Sequence, residues 1–358
     1  MTGKITFPNM GNYQIVFKSL FENLGFEVIP PPQTSKKSIE KGVAFSPEFV
    51  CFPFKVNMGN YLQSIQKGAT TIVMLDTQGE CRFRYYGTLQ QKILDDLGYN
   101  VSFFSFNAKN TLGYLKKLGI FRNPPWRLVR TAWIAWQKLK LVELIEDLSW
   151  YVRPRQIKEG ETGRVMSKYL DILDKTNSIT KLRKLKRRIK KAFSSIEIDR
   201  NKKPLKVGIV GEIYVIAESY VHRDTDVALG NLGVEVHKAV RASTVIKHFL
   251  NPLSKKILYR RAYPYLKTSV GGHGQDSVAH MLEYAREGFD GIIHLAPFGC
   301  MPEVTVRPIL ARISREKDLP LLSLSLEEQS AEAGIQTRLE AFVDLIKDKK
   351  SKNTKHVT

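Results

Sequence analysis

The sequence has few cysteines, an excess of basic over acidic residues, and no long apolar run. Only three cysteines occur among 358 residues, and none has the Cys-x-x-Cys spacing typical of a structural zinc site. No uncharged apolar stretch approaches the roughly 18 residues that a membrane-spanning helix requires. The first residues, Met1 to Pro8, are polar and soon strand-like, which argues against a signal peptide. An odd number of cysteines without a secretion signal predicts a protein of the reducing cytoplasm.

The charge of the chain is strongly positive and unevenly distributed. Its 56 Lys and Arg residues exceed its 35 Asp and Glu residues, so the formal net charge is +21. Residues 126–205 alone carry twelve more basic than acidic residues. Such a segment attracts nucleic acid, anionic lipid or an acidic protein, or it is only the solvated face of a helix. The hydrophobic content of 43% indicates a folded globular protein.

Residues 1–125 alternate between strand and helix patterns. The predicted strands are Lys4–Pro8, Phe26–Ile29, Thr70–Leu75 and Val101–Phe106, and the predicted helices are Asn12–Leu24, 58–67 and Thr88–Leu97. Short apolar strands that alternate with helices predict a parallel sheet. Met10-Gly11-Asn12-Tyr13 recurs as Met58-Gly59-Asn60-Tyr61, each time at a predicted helix start, although ordinary capping chemistry explains four matching residues equally well.

Residues 126–205 predict an inserted helical subdomain. All four tryptophans, Trp126, Trp133, Trp136 and Trp150, lie near its beginning. A basic helix over Lys181–Lys191 has an apolar stripe of Leu182, Leu185 and Ile189. Tryptophan together with Lys and Arg also occurs in helices that lie on membranes, but the stripe favours the core of a helix bundle.

Residues 206–346 return to the α/β pattern. The predicted strands are Val207–Val210, Val234–Val236, Gly291–Leu295 and Leu319–Leu326, and helices are expected at Ser277–Arg286 and Ala333–Ile346. The Lys-rich residues 347–358 predict a disordered basic tail. The sequence therefore predicts an α/β protein with two parallel-sheet domains, 1–125 and 206–346, and the helical subdomain between them.

Each cysteine lies in a Gly- or Pro-marked break after an apolar run. The three breaks are Cys51-Phe52-Pro53, Gly79-Glu80-Cys81 and Phe298-Gly299-Cys300-Met301-Pro302. Loops at the carboxyl ends of parallel strands gather ligands, so three thiols there could converge in space. Three thiolates can hold three corners of an iron–sulfur cube and leave the fourth iron open. The alternative is three unrelated small hydrophobic residues in a core.

Other chemistries account for fewer of these residues. A disulfide would leave one cysteine over, and a Cys–His pair between Cys300 and His273, His280 or His294 explains neither of the other thiols. Gly208–Glu212 and Gly271–Gly274 are each a phosphate loop or only a flexible loop. Neither has the Lys-Ser/Thr of a P-loop, which argues against ATP hydrolysis by this chain.

Several motifs, taken in order, resemble the activase-associated branch of the 2-hydroxyacyl-CoA dehydratase/benzoyl-CoA reductase family. They cover most of residues 1–345, and the middle helical segment matches least. The motifs are Ser46–Pro53, Cys81–Gly87, Val207–Tyr214, Gly271–Gln275, Pro297–Glu303, and Glu327–Gln329 with Glu332–Gly334.

The resemblance implies two flavodoxin-like domains and a [4Fe–4S] cluster held by Cys51, Cys81 and Cys300. It also implies electron delivery by a separate ATP-hydrolysing iron–sulfur activator with an actin/hexokinase-like fold. Related enzymes dehydrate 2-hydroxyacyl-CoA or reduce aromatic acyl-CoA. The residues expected to surround the cluster are Arg82, Arg84, Gly299, Glu303 and His273. The two arginines would stabilise a negative cluster or a thioester oxyanion, or they form surface salt bridges.

The resulting hypothesis is the iron–sulfur component of an ATP-dependent reductase or dehydratase system. A non-catalytic electron-transfer or cluster-scaffold subunit is the first alternative. A basic nucleic-acid-binding protein is the second, although no recognition motif supports it. The expected partners are the activator, a homologous subunit or a second copy of this chain, and an acyl-CoA-type small molecule.

Overall fold

The computed structural model describes residues 3–77, 80–107 and 109–355. Gly79, part of the break before Cys81, and residues 356–358 of the expected tail lie outside the described residues. Contacts divide the chain into two compact units. The first comprises Met1–Glu143 and Tyr169–Arg187, and the second comprises Leu144–Lys168 and Arg188–Thr358.

The first unit contains a parallel sheet of three strands in the order β1-β2-β3. These are β1 (Ile5–Thr6), β2 (Thr71–Leu75) and β3 (Ser102–Phe106). Ile5 pairs with Thr71, and Ile72 pairs with Phe103. The predicted strand Phe26–Ile29 is reduced to one parallel bridge between Val28 and Ile5.

Five helices of the first unit surround this sheet: α1 (Gln14–Asn23), α2 (Lys36–Ala44), α3 (Phe52–Gln66), α4 (Tyr86–Asp96) and α5 (Thr111–Lys117). α2 and α5 were not predicted. α2 begins with a capping box in which Ser35 and Ser38 satisfy each other's backbone N–H groups. α5 has only seven residues and none is fully buried, so its helical period is too short to recognise.

The repeated Met-Gly-Asn-Tyr motif has two different roles. Gly11–Tyr13 forms a 3₁₀ turn that leads into α1, as predicted. Met58–Tyr61, in contrast, lies inside α3, so the prediction that it opens a helix is wrong. α3 begins earlier because Cys51 has extended backbone at the N-cap and Pro53 suits the first turn.

Three helices follow: α6 (Pro125–Val152), α7 (Glu161–Asp174) and α8 (Ile179–Ser194). The boundaries between the two compact units fall within these helices. The stripe of α8 is buried as expected, since Leu182, Leu185 and Ile189 are almost inaccessible to solvent. The domain limits predicted from the sequence, at 125, 205 and 346, stay predictions.

The second unit contains a parallel sheet of four strands in the order β5-β4-β6-β7. These are β4 (Leu205–Gly211), β5 (Val234–Lys238), β6 (Gly291–Pro297) and β7 (Leu321–Leu326). Every residue of β6 is buried, which fits its mainly apolar sequence, and His294 is the polar side chain within it. The helices of the second unit that follow β4 are α9 (Ile213–Ala217), α10 (Thr225–Asn231), α11 (Ala242–Leu250), α12 (Pro252–Ala262), α13 (Gly274–Arg286), α14 (Met301–Glu316) and α15 (Glu332–Lys355). The predicted α/β fold class is confirmed, and two parallel sheets are consistent with two flavodoxin-like domains.

The expectation of disorder from Lys347 is wrong for most of the tail. α15 continues through Lys355. Lys350 lies 2.7 Å from an Asp290 carboxylate oxygen and Lys349 lies 2.6 Å from one of Asp318, so basic residues near the helix C-terminus are paired. Across the part of the chain that the structure describes, no helix is both long and apolar enough to cross a membrane.

Candidate functional site

The carboxyl edge of the second sheet gathers several buried polar side chains. β4 ends at Gly211 and is followed by Glu212, while β6 carries His294 and leads through Cys300 into α14. α13 leads into β6 and therefore begins at the same edge, with His273 at its N-cap. Parallel strands thus bring together groups that are far apart in sequence.

Glu303 is the centre of one hydrogen-bonded set. Its Oε2 accepts from the Ser277 hydroxyl at 3.0 Å and lies 2.9 Å from His294 Nε2. His294 Nδ1 lies 2.9 Å from the Ser323 hydroxyl, so both ring nitrogens have partners. The other carboxylate oxygen, Glu303 Oε1, is buried without a hydrogen-bond partner among the described residues. A buried carboxylate oxygen without a partner can be satisfied by a donor group of a ligand or by a proton shared with a neighbouring residue.

Glu303 lies in the first turn of α14, where the unpaired N–H groups of the helix favour a negative charge. The residues before this turn fix its position. Gly299 has a positive φ of 74°, and Phe298 N donates to Leu326 O at 2.7 Å. Gly299 therefore provides the turn that carries the chain from β6 into α14.

His273 and Asp276 form a second set at the start of α13. His273 Nδ1 lies 2.8 Å from Asp276 Oδ2. The preceding Gly271 and Gly272 both have positive φ, which gives the loop its turn. A Cβ atom on Gly274 would lie 2.9 Å from Pro302 O, so α13 and the first turn of α14 are in close contact. The side chain of His273 remains about one-fifth exposed, whereas Glu303 and His294 are fully buried.

The charges at this edge, together with burial, shift the pKa values of His273, Asp276 and Glu212. Burial disfavours protonated His273, but its bond to Asp276 and the charges of Asp276, Glu212 and Glu303 outweigh burial and raise the pKa of His273. Burial likewise opposes the ionised form of Asp276, yet its bond to His273 and the nearby positive charges lower the pKa of Asp276.

The pKa of Glu212 is raised, in contrast to that of Asp276. The carboxylate of Glu212 caps α9, accepting from Tyr214 N and Val215 N at 3.0 Å each. Those bonds favour the charged form, but burial raises the pKa of Glu212, and the charge of Glu303 adds to the rise. We call Glu212, His273, Asp276, His294 and Glu303 the edge cluster.

The edge cluster is suited to exchanging protons. Asp276 holds one nitrogen of His273 and leaves Nε2 for proton transfer, as in other carboxylate–imidazole pairs. Of the two alternatives for Gly271–Gly274, a phosphate loop fits less well than a flexible loop, because the carboxyl groups of Glu212, Asp276 and Glu303 lie at this edge and disfavour an anion.

All three cysteines lie at helix N-caps with extended backbone. Cys51 precedes α3, Cys81 precedes the 3₁₀ turn Arg82–Tyr85, and Cys300 precedes α14. Cys51 is buried among Phe54, Met74 and Tyr86, and Cys300 is also buried. Cys51 and Cys81 belong to the first unit and Cys300 to the second.

The two candidate arginines lie on the surface of the first unit. Arg82 Nη1 donates to Phe49 O at 3.0 Å, and the Arg84 guanidinium lies 4.7 Å from the centre of the Tyr85 ring. Both side chains are exposed. Arg82 therefore ties the segment before Cys51 to the segment after Cys81.

No group of three or more His, Cys, Asp or Glu side chains in the described residues is placed to hold a metal ion. The [4Fe–4S] cofactor and the assignment of Cys51, Cys81 and Cys300 as its ligands stay predictions.

A family model described as a CoA enzyme activase uncharacterised domain matches residues 7–74. The matched segment includes α1, α2, α3 and most of β2. A search of curated proteins found no match to the chain. The match points to the activase-related group of the acyl-CoA dehydratase family, which agrees with the resemblance at that level.

This match corrects the functional prediction. The hypothesis of an iron–sulfur component is wrong, because the matched model describes an activase domain and the described residues form no metal-binding group. The electron-transfer and cluster-scaffold alternative is wrong for the same reasons, and the match gives nucleic-acid binding no support. An activator as the partner is not supported either; an activase-related chain suggests a dehydratase as its partner.

Sequence reasoning found part of the edge cluster. His273 and Glu303 were named as candidates, but as residues around an iron–sulfur cluster. His294 was named only as a possible partner of Cys300 in a Cys–His pair, and Glu212 and Asp276 were not named as site residues. Asp276 had a local signal, since it lies three residues after His273 on the same helix turn.

Proposed function

We propose that the chain is an activase-related protein that acts on a dehydratase of 2-hydroxyacyl-CoA. The match of residues 7–74 to an activase domain supports the first half of this proposal. The action on a dehydratase is supported by three motifs that resemble the dehydratase family: Val207–Tyr214, Gly271–Gln275 and Pro297–Glu303. These three motifs also supply three of the five residues of the edge cluster, Glu212, His273 and Glu303.

In this proposal the edge cluster is the acid–base centre of the protein. The observation that carries it is the His273–Asp276 contact of 2.8 Å at a helix start that solvent can reach. Asp276 orients the imidazole and stabilises its protonated form, while Nε2 exchanges a proton with the reacting group. Glu212 and Glu303 add negative charge that keeps the proton on His273 until a stronger base arrives.

The remaining members position this pair. Glu303 links α13 and α14 through Ser277 and His294, so it holds the start of α13 against β6. A His273 that is fixed in this way loses little conformational entropy when it reacts.

The test measures dehydration of 2-hydroxyacyl-CoA by a candidate dehydratase with and without this chain. We expect the chain to raise the rate, and His273→Gln to reduce the increase by about 10²- to 10⁴-fold, the usual contribution of a positioned acid–base group. The alkaline limb of the pH–rate profile, where His273 loses its proton, should also disappear, which a merely structural defect would not cause.

His237→Gln is the matched control. His237 is a partly exposed imidazole that also contacts a carboxylate, Glu235 Oε1 at 2.9 Å, but it lies on β5 outside the edge cluster. Equal losses in the two variants would contradict the acid–base assignment. No rate increase from the unmodified chain would contradict the activase proposal itself.

A further inference from the structure

The helical hairpin formed by α11 and α12 carries an apolar tip that points into solvent. Phe249, Leu250 and Leu253 at the turn between the helices are 76%, 75% and 62% exposed. Ile246 and Ile257 extend this surface along the two helices. Single exposed apolar residues are common, but a contiguous group of this kind on a soluble surface indicates an interaction site.

The hairpin is firmly attached to the second unit. Leu258 and Ala262 of α12 are buried in a core cluster with Val278 and Met281 of α13. One face of α12 therefore packs inward, and the opposite face and the tip are left outside. The apolar tip is displayed by a packed helix and does not belong to the core.

The residues around the tip are all basic or uncharged. From Arg241 to Lys267 there are seven Lys and Arg residues and no Asp or Glu. Lys247, Lys255, Lys256 and Arg260 are exposed beside the apolar residues. This collar of positive charge requires an anionic partner surface.

Charge and shape favour one kind of partner. A second copy of the hairpin would bring two positive collars together, which is unfavourable. The centre of a protein interface is usually poor in Lys. An anionic bilayer satisfies both features, because apolar side chains enter the boundary of the acyl region while Lys and Arg reach the lipid phosphates.

We propose that the α11–α12 hairpin binds the surface of a bilayer containing anionic lipid, with Phe249, Leu250 and Leu253 inserted. This inference does not depend on the proposed function, because none of these residues belongs to the edge cluster. The contact is peripheral, since an amphipathic surface of this kind enters no further than the boundary between headgroups and acyl chains.

The test is co-sedimentation of the full chain with vesicles of phosphatidylcholine alone and with about 30% phosphatidylserine, where the surface charge attracts basic segments. Binding is expected only to the anionic vesicles. Phe249→Ser with Leu253→Ser should weaken it at least about tenfold, because the inserted apolar surface is lost.

Two matched controls separate insertion from general attraction. Leu112→Ser with Phe121→Ser removes apolar residues of similar exposure from the first unit and should leave binding unchanged. Lys255→Glu with Lys256→Glu should weaken binding more than Lys184→Glu with Lys186→Glu on α8, although the charge change is the same. Circular dichroism establishes that each variant is folded.

Three outcomes would overturn the proposal. The first is no binding of the unmodified chain to anionic vesicles. The second is an equal loss of vesicle binding in the tip variant and in the Leu112→Ser, Phe121→Ser control, which would indicate non-specific attraction by a protein of charge +21. The third is a dimer in sedimentation velocity that the tip substitutions dissociate, which would assign the hairpin to a second copy.

Discussion

His294 Nε2 lies 2.9 Å from Glu303 Oε2, and both side chains are completely buried. The pair joins the middle of β6 to the first turn of α14, the helix that follows it. Because neither side chain is exposed to solvent, His294 Nε2 depends on Glu303 for its hydrogen-bond partner, while Ser277 and Ser323 hold the two side chains on their other sides. Removing Glu303 leaves His294 Nε2 unsatisfied, whereas a substitution that keeps an acceptor should be tolerated.

Glu303→Leu should destabilise the protein by about 3–5 kcal/mol, the usual cost of removing one member of a buried pair. Glu303→Gln should cost clearly less, since its amide oxygen still accepts from Ser277 or His294. Urea unfolding gives both values. Glu287→Leu, at an exposed position at the end of α13, is the control and should remain within about 0.5 kcal/mol. Equal costs for Gln and Leu would contradict the bonding role assigned to Glu303.

Gly59→Ala should destabilise the first unit by about 1–3 kcal/mol through overpacking. A Cβ atom at Gly59 would lie 1.8 Å from Ser38 O, and one at Gly42 would lie 1.8 Å from Lys55 O. α2 and α3 can approach this closely only with glycine at both positions. Gly113→Ala is the matched control, since nothing lies within 4 Å of its Cβ position in α5. There alanine should stabilise the helix by up to about 1 kcal/mol. A stabilising Gly59→Ala would show that the helices can separate without loss.

Because of Lys138, we expect the free energy of unfolding to depend on pH in the alkaline range. Burial lowers the pKa of Lys138 to about 8, although the charges of Asp174 and Glu22 oppose the shift. Its Nζ donates to Asp174 O at 2.9 Å. Between about pH 8 and 10.5 the unfolded chain binds a proton that the folded chain has lost, so stability rises with pH in this window by on the order of 3 kcal/mol.

Lys138→Met should remove this rise, as measured by urea unfolding at several pH values. Met fills a similar volume and brings no buried charge. Lys184→Met, at an exposed position of α8, should retain the rise. A persistent rise in Lys138→Met would assign it to other groups.

His222 predicts a loss of stability in acid. Burial lowers the pKa of His222 to about 4, the charge of Lys238 lowers it further, and Asp226 opposes the shift. Its Nδ1 accepts a hydrogen bond from Thr225 N at 3.1 Å, which requires the neutral ring. Between about pH 6.5 and 4 the unfolded chain binds a proton that the folded chain does not, so stability decreases by on the order of 3 kcal/mol as the pH is lowered through this window.

His222→Asn should lessen this acid destabilisation, because the Asn side-chain oxygen can replace Nδ1 as acceptor and does not titrate. The measurement is the free energy of unfolding at steps between about pH 4 and 7. His237→Asn, at a partly exposed imidazole on β5, is the control. If both variants behave like the unmodified chain, the buried imidazole does not govern the acid limb.

Local sequence pattern predicted the main elements of both sheets. β4, β6 and β7 were found as short apolar runs bounded by Gly or Pro, and the stripe of α8 was found by its helical spacing. Helices without such a stripe were missed. α14 contains Pro302 and Pro308, which conceal a helix although Pro302 fits its first turn, and the apolar residues of α11 lie on its exposed side.

The sequence by itself determined the fold class, because the periods of apolar residues depend only on neighbours along the chain. It also identified His273 and Glu303 as polar residues beside glycine-rich breaks. The tertiary structure alone decided their partners. The strand order β5-β4-β6-β7 places Glu212 and the loop after β6 at one edge, and α13 brings His273 and Asp276 there. Such contacts join residues up to 91 positions apart, from 212 to 303. No local period encodes them, since they follow from the order in which strands pair.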